Sequence, residues 1–445
     1  MTHPADLDLT AAAAALRAGG LTSSELTRAT LDRIAERDRQ IGAFVHLDPE
    51  GALAAASAAD QALAEGQDRG PLHGIPFGVK DVFDVAGWPV RFGCAHYRDR
   101  IAADTADAVA ALVAAGAIPL GLVATYEMAT VGPDTTSLYP QPRNPWDRDR
   151  FTGGSSSGSA AAVSAGMVRF ALGSDTGGSA RSPAAYCGVV GMKPTAGRLS
   201  KAGLMPLAPS MDQVGILAAS AAEAALVLAA LSGGAAGQGP AATRIAYGRG
   251  WAQTAPEDGA ILTLMDDAAA ALSLAGHRID IVGMPDYAQI EQAGTDILLH
   301  EQIAARRSEV AGDPDHVGQM AWASLAQGLS IRPDTVETAR RAAVLFTEEI
   351  DAILADHDAL ILPTTMDIAP PFSAFASGVP VWTAMRTIPF NLSGHPALTV
   401  PIGFHRGLPL GMQIVGTKGA DARVLQIGAA FEAATDHAVM RPYRA

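Results

Sequence analysis

Apolar positions near the start of the chain recur at helical spacing, and residues up to about 45 read as two helices. The second opens with Thr22-Ser23-Ser24-Glu25, in which Thr22 and Glu25 can each satisfy the other's backbone N–H, flanked by Leu21 and Leu26 at stapling positions. Leu26, Leu31 and Ile34 continue it as one apolar stripe. An alanine-rich helix from about Pro49 to Glu65 follows, so 1–68 is expected to be a set of helices packed around a core.

From Leu72 the pattern changes to short apolar runs between helical segments. Asp104-Thr105 is expected to cap a helix that reaches Ala115 and stops at Gly116, with Ala117–Val123 as the next strand. Val168, Phe170 and Leu172 alternate just before Asp175. Such alternation predicts an α/β fold, a sheet with helices on its faces. Residues 232–242 read as a low-complexity loop, Arg244–Tyr247 as a strand, and 284–355 as mostly helical. Strands return at Ala359–Leu362, Ala397–Val400 and Gly411–Val415, and no fixed-period repeat is visible.

Composition narrows the class. With 49% hydrophobic and 18% charged residues among 445, the chain has the balance of a soluble globular protein. The first residues lack an apolar core, and no stretch approaches the roughly 18 uninterrupted apolar residues of a membrane span, so a cytoplasmic protein with no membrane association is expected. Cys94 and Cys187 are the only cysteines and have no zinc or dithiol spacing, which suits a reducing compartment. A formal charge of −14 without a compensating basic cluster argues against nucleic-acid binding. The eleven histidines lack ligand spacing, so no metal is expected, and His395 reads as a packed loop residue. No phosphate loop or dinucleotide fingerprint is present, so no cofactor is expected either.

The chemistry gathers in 152–191. Thr-Gly-Gly-Ser-Ser-Ser-Gly-Ser-Ala and Asp-Thr-Gly-Gly-Ser-Ala-Arg set Ser155 and Ser179 in two glycine-rich turns. A serine hydroxyl attacks an amide only with a base in hydrogen-bond reach and donors for the developing oxyanion. Lys80, in Gly-Ile-Pro-Phe-Gly-Val-Lys-Asp, is the candidate base; it must be neutral to act, and burial among Phe77, Val79, Val82 and Phe83 would favour that. Thr176, Gly177 and Gly178 before Ser179 would let successive N–H groups converge as an anion-binding nest, ahead of Ser182-Pro183 as N-cap and first helical residue. Asp175 and Arg181 are expected to brace that turn, and Ser156 to support the relay.

Together these stretches resemble the amidase signature family, as do Gly-Val-Val-Gly-Met-Lys-Pro-Thr (188–195), Pro-Leu-Ala-Pro-Ser-Met-Asp-Gln-Val-Gly (206–215) and Pro-Phe-Asn-Leu-Ser-Gly-His-Pro-Ala (389–397). Ser157 and Ala180 depart from residues usual in the family. The resemblance covers about 70–220 and 359–434. It implies a large mixed β-sheet flanked by helices on both faces, and one domain over 1–445 with 284–355 as a variable helical insertion. By motif, Lys80 falls at the family's lysine, Ser155 at its bridging serine, which takes a cis peptide, and Ser179 at its acylated serine. The implied activity is cofactor-independent hydrolysis of a small carboxamide, with esters also reacting; the assembly is left open, a homodimer included.

Two other readings keep the same core. One is the glutaminase subunit of a tRNA-dependent amidotransferase, whose members typically carry an aspartate three residues before Thr-Ile-Pro; here Ala384 stands before Thr387-Ile388-Pro389. The other is a non-catalytic protein, against which the retained reacting residues argue. For substrate choice, Met320, Trp322, Phe346, Trp382 and Met385 are candidate walls of an apolar pocket, whereas Arg386 facing that pocket would favour a carboxylate.

Overall fold

The computed structural model describes every residue except 1–2, 235–242, 255–259, 308, 310–311, 313–315, 378–381, 438–439, 441 and 444–445. Most of the expected 232–242 loop therefore lies outside the described residues.

The strands, in chain order, are β1 (Phe44–Leu47), β2 (Pro76–Lys80), β3 (Ile118–Val123), β4 (Arg143–Asn144), β5 (Asp147–Phe151), β6 (Phe170–Asp175) and β7 (Val190–Lys193), followed by β8 (Gln213–Ala218), β9 (Arg244–Tyr247), β10 (Arg278–Ile281), β11 (Ala359–Pro363), β12 (Ala397–His405) and β13 (Leu408–Val415). Eleven of them make one sheet in the order β1-β3-β2-β6-β8-β7-β12-β13-β11-β9-β10, and β4 pairs with β5 apart from it. The sheet is mixed: β3, β2 and β6 run parallel, as do β11, β9 and β10, and the pairs between them are antiparallel.

Strands β2, β6, β7 and β8 are buried along their whole length. Alternate residues enter different cores, Ile216 one and Leu217 another, so helices cover both faces. Phe77 of β2 stacks on Phe170 of β6 with ring centroids 5.2 Å apart, and burying each ring contributes about 1.5–3 kcal/mol.

The N-terminal reading holds in detail. Helices span Leu9–Arg17, Ser23–Ile41 and Pro49–Ala64, and Thr22 with Glu25 forms the reciprocal cap. The pattern gave no sign of β1, a four-residue edge strand with every residue half-buried. Asp104-Thr105 does not cap the next helix, which covers Asp107–Ala114 after Ala106; Thr105 Oγ1 instead accepts the N–H of Ala86. In 284–355 the helices are Tyr287–Ala305, Gln319–Gly328 and Pro333–Ala355. Among the described residues no helix is long and apolar enough to cross a membrane.

Candidate active site

Parallel strands finish at the same edge of a sheet. Lys80 ends β2, and its neighbour β6 runs beside it with Val79 opposite Leu172, which brings Ser174 next to the lysine. The loop before the buried helix Ser157–Ser164 closes over both ends. Lys80 Nζ lies 2.9 Å from Ser155 Oγ and 2.8 Å from Ser174 Oγ, and the side chain is fully buried. Burial pulls the Lys80 amine down to about 7 against the partial pull of Asp175 and Asp212.

The peptide bond between Gly154 and Ser155 is cis. Gly154 leaves room for Tyr126, whose ring a Cβ at that position would meet at 2.3 Å. Ser156 supports the same corner: its Oγ donates to Ser174 O at 3.1 Å and accepts from Ser174 N–H at 3.2 Å. The backbone N–H of Ser156 donates to Ser179 O at 3.1 Å, tying the two serine turns together. Ser179 is half-buried at the rim of a pocket, and its Oγ makes no hydrogen bond to the described residues.

The Ser179 turn is braced from below. Asp175, at the end of β6, accepts from Gly178 N–H at 3.0 Å, Ala180 N–H at 3.2 Å and Arg181 N–H at 3.4 Å. The helix Arg181–Cys187 thus begins on this carboxylate with Ala180 as N-cap, earlier than the Ser182-Pro183 start expected from the sequence, and those two residues lie inside its first turn. Burial pushes the Asp175 carboxyl up, but the charge and hydrogen bonds of Arg181 outweigh it and hold the group below its ordinary value. Arg181 is equally buried, and its guanidinium reaches Asp175, Thr387 O, Gln413 and Asn391. A buried ion pair satisfied to this degree fixes geometry where an unsatisfied one would destabilise.

Gly178 must be glycine twice over: its φ is +121°, and a Cβ there would meet Thr387 Oγ1 at 2.0 Å. Its N–H points to Asp175, while the N–H groups of Thr176, Gly177 and Ser179 are bound by none of the described residues. Thr387 Oγ1 donates to Gly177 O at 2.6 Å and Thr176 Oγ1 to Asp212 at 2.6 Å, which pins the turn on both sides.

The pocket beside Ser179 encloses about 610 Å³ counting its open mouth. Tyr126, Phe151, Leu207, Leu298, Trp382 and Met385 give it an apolar wall, with Thr130, Gln302, Ser324 and Thr383 as polar points. No Asp, Glu, Lys or Arg is among the described residues that line it. Of the five bulky residues singled out in the sequence, Trp382 and Met385 line the pocket and three do not. Met320 packs with Tyr126 and Phe151, Trp322 against the main core, and Phe346 with Trp251 and Phe390. Arg386 does not face the pocket; it is buried with its guanidinium 3.9 Å from the ring centre of Tyr287 and donates to Thr254 Oγ1 at 2.8 Å. His395 is packed as expected, between Ser393 and Asp351, and burial brings it down to about 4.

Sequence reasoning missed Ser174, Asp212, Asn391, Gln413 and Thr387. Asn391 and Gln413 stand between apolar neighbours, and a buried polar side chain needs a partner, which was the available signal; Ser174, Asp212 and Thr387 have polar or charged neighbours and gave none.

A family model described as Amidase matches residues 25–425. The chain is 36% identical over 464 residues to a putative amidase AmiD of Mycobacterium tuberculosis, with 98% of this chain and 96% of that protein covered. It is 34% identical over 491 residues to one subunit of the glutamyl-tRNA(Gln) amidotransferase of Chloroflexus aggregans, with 99% of each covered. Among solved structures, an amidase crystal structure superposes with a TM-score of 0.88 at 30% identity, over 96% of this chain and 99% of that one.

Proposed function

The chain belongs to the amidase family, whose members hydrolyse amide C–N bonds, and on that premise we propose that it cleaves small neutral carboxamides through an acyl-enzyme on Ser179. One observation carries the reading: a fully buried lysine, drawn down to about 7, sits 2.9 Å from Ser155 Oγ beneath an uncharged pocket edged by Ser179.

In this reading neutral Lys80 takes the proton of Ser155 Oγ as Ser155 takes that of Ser179. Ser179 Oγ attacks the carbonyl carbon, and the oxyanion is held by the N–H groups of Thr176, Gly177 and Ser179, with Gly178 serving through Asp175. The proton returns through Ser155 to the departing nitrogen, the C–N bond breaks, and ammonia or an amine leaves. Water then enters by the same relay, and the ester of Ser179 is hydrolysed to the acid. Asp175 and Arg181 hold the turn; Ser156 and Ser174 hold Ser155 and Lys80.

The amidotransferase role is the second reading, favoured by 34% identity along the whole of one such relative. Ala384 and the uncharged pocket wall leave the ammonium of glutamine without a carboxylate, so the hydrolase is preferred. Ser179→Ala should lower turnover about 10⁴-fold or more and prevent a fluorophosphonate adduct seen by mass spectrometry on the parent. An adduct that persists on the variant, or forms on Ser155, would remove the assignment; ATP-dependent glutamine hydrolysis with a partner subunit would favour the second reading.

A further inference from the structure

Among the described residues that line the pocket, two carry a buried polar atom without a hydrogen-bond partner: Gln302 at Oε1 and Tyr126 at its hydroxyl. Gln302 belongs to the helix Tyr287–Ala305 and is fully buried. Its Nε2 donates to Ser324 O at 2.8 Å and Ser324 Oγ at 3.1 Å. That fixes the sense of the amide, because a flipped group would set its oxygen against the Ser324 carbonyl. The oxygen is left as an acceptor with no donor, a state that buried polar groups rarely keep without a reason.

We propose that Gln302 determines specificity by accepting a hydrogen bond from a neutral N–H of the substrate beyond the scissile amide. The proposal rests on the reading of Ser179 as the acylated serine. A neutral donor is required because an ammonium would need a carboxylate, and none lines the pocket among the described residues. The Tyr126 hydroxyl, the other unpartnered group of this lining, can donate to a carbonyl. Leu207, Leu298, Trp382 and Met385 supply apolar surface in the same pocket. The preferred substrate is therefore a primary amide that carries an apolar group and a second, secondary amide, such as an N-acylamino amide. A plain aliphatic amide would leave Oε1 without a partner.

The test is a paired affinity measurement on Ser179→Ala protein by calorimetry, using an N-acetylamino amide and its isosteric acetoxy counterpart, in which oxygen replaces the N–H. The amide should bind about tenfold more tightly, the worth of one neutral hydrogen bond in a buried site. Gln302→Met should bring that ratio to about one, with thermal unfolding run alongside to confirm the fold. Equal affinities in the Gln302-containing protein, a preference that survives Gln302→Met, or failure of both ligands to bind would each overturn the proposal. Because the ratio is independent of which serine reacts, fluorophosphonate labelling of Ser179 reports separately on the underlying mechanism.

Discussion

Two lysines of this molecule have nearly the same burial and different surroundings. Lys80 ends β2 and Lys193 ends β7; both are fully buried, and burial brings each amine down to about 7. Around Lys193, Arg181 pushes further down while Asp175 and Asp421 pull back. The partners separate them. Lys80 Nζ faces the hydroxyls of Ser155 and Ser174, whereas Lys193 Nζ donates to the carbonyl of Pro194 at 2.9 Å. A carbonyl has no proton to give. Burial favours the neutral form of both amines, but only Lys80 has a hydroxyl with which to exchange a proton, so a displaced pKa alone does not mark a catalytic residue.

The largest effect should come from exchanging the two lysines' fates. Lys80→Ala is expected to lower kcat/KM by about 10²- to 10⁴-fold, the usual worth of general acid–base catalysis. Lys80→Arg should not restore it, because a guanidinium stays protonated. Lys193→Met should cost less than about tenfold, since that amine contacts no relay group. Comparable losses in steady-state kinetics on Lys80→Ala and Lys193→Met would erase the distinction, and an active arginine variant would break the relay.

A second effect sharpens the contrast by pH. If neutral Lys80 is the working form, kcat/KM should be level above about pH 7 and fall about tenfold per unit below it. Asp81 and Glu127, both buried, are pushed up to about 7 as well, so the profile alone does not name the group. The temperature dependence does: amine ionisation carries a large enthalpy and carboxyl ionisation almost none. An inflection near 7 that moves strongly with temperature and persists in Lys193→Met belongs to Lys80. One that stays fixed on warming, or vanishes with Lys193, contradicts the assignment.

The difference between the lysines also marks how far the sequence could be read. The glycine-rich turns and the α/β alternation were legible because each is local: a cap, a stop or a turn occupies a few neighbouring residues. The braces were not. Arg181 meets Asn391 and Gln413 from more than 200 positions away, and only the sheet order brings β13 to it. Arg386 illustrates the same limit, since nothing in Met-Arg-Thr-Ile-Pro tells that Tyr287 covers the guanidinium. The pocket wall fell between these cases: Trp382 and Met385 sit beside a recognisable motif, whereas Leu298, Gln302 and Ser324 come from helices whose inward faces depend on tertiary packing.

The smallest effect concerns stability, and it tests whether Lys193 is buried as the neutral amine that the comparison requires. Its folded value of about 7 lies below the ordinary 10.5, so between those limits the unfolded chain binds a proton that the folded chain lacks, and stability rises with pH across that window. Below about 7 both states are protonated and the buried charge is at its most costly. Lys193→Met removes the group without leaving Asp421 alone, because Thr195 and Arg198 still bind that carboxylate. The variant should therefore be more stable than the parent by about 1–4 kcal/mol at pH 6.5, with the advantage lost as pH rises toward 10.5. Urea midpoints at several pH values read this directly. Parallel pH slopes for parent and variant would mean that Lys193 keeps its proton in the fold, and burial would then not be what the two lysines share.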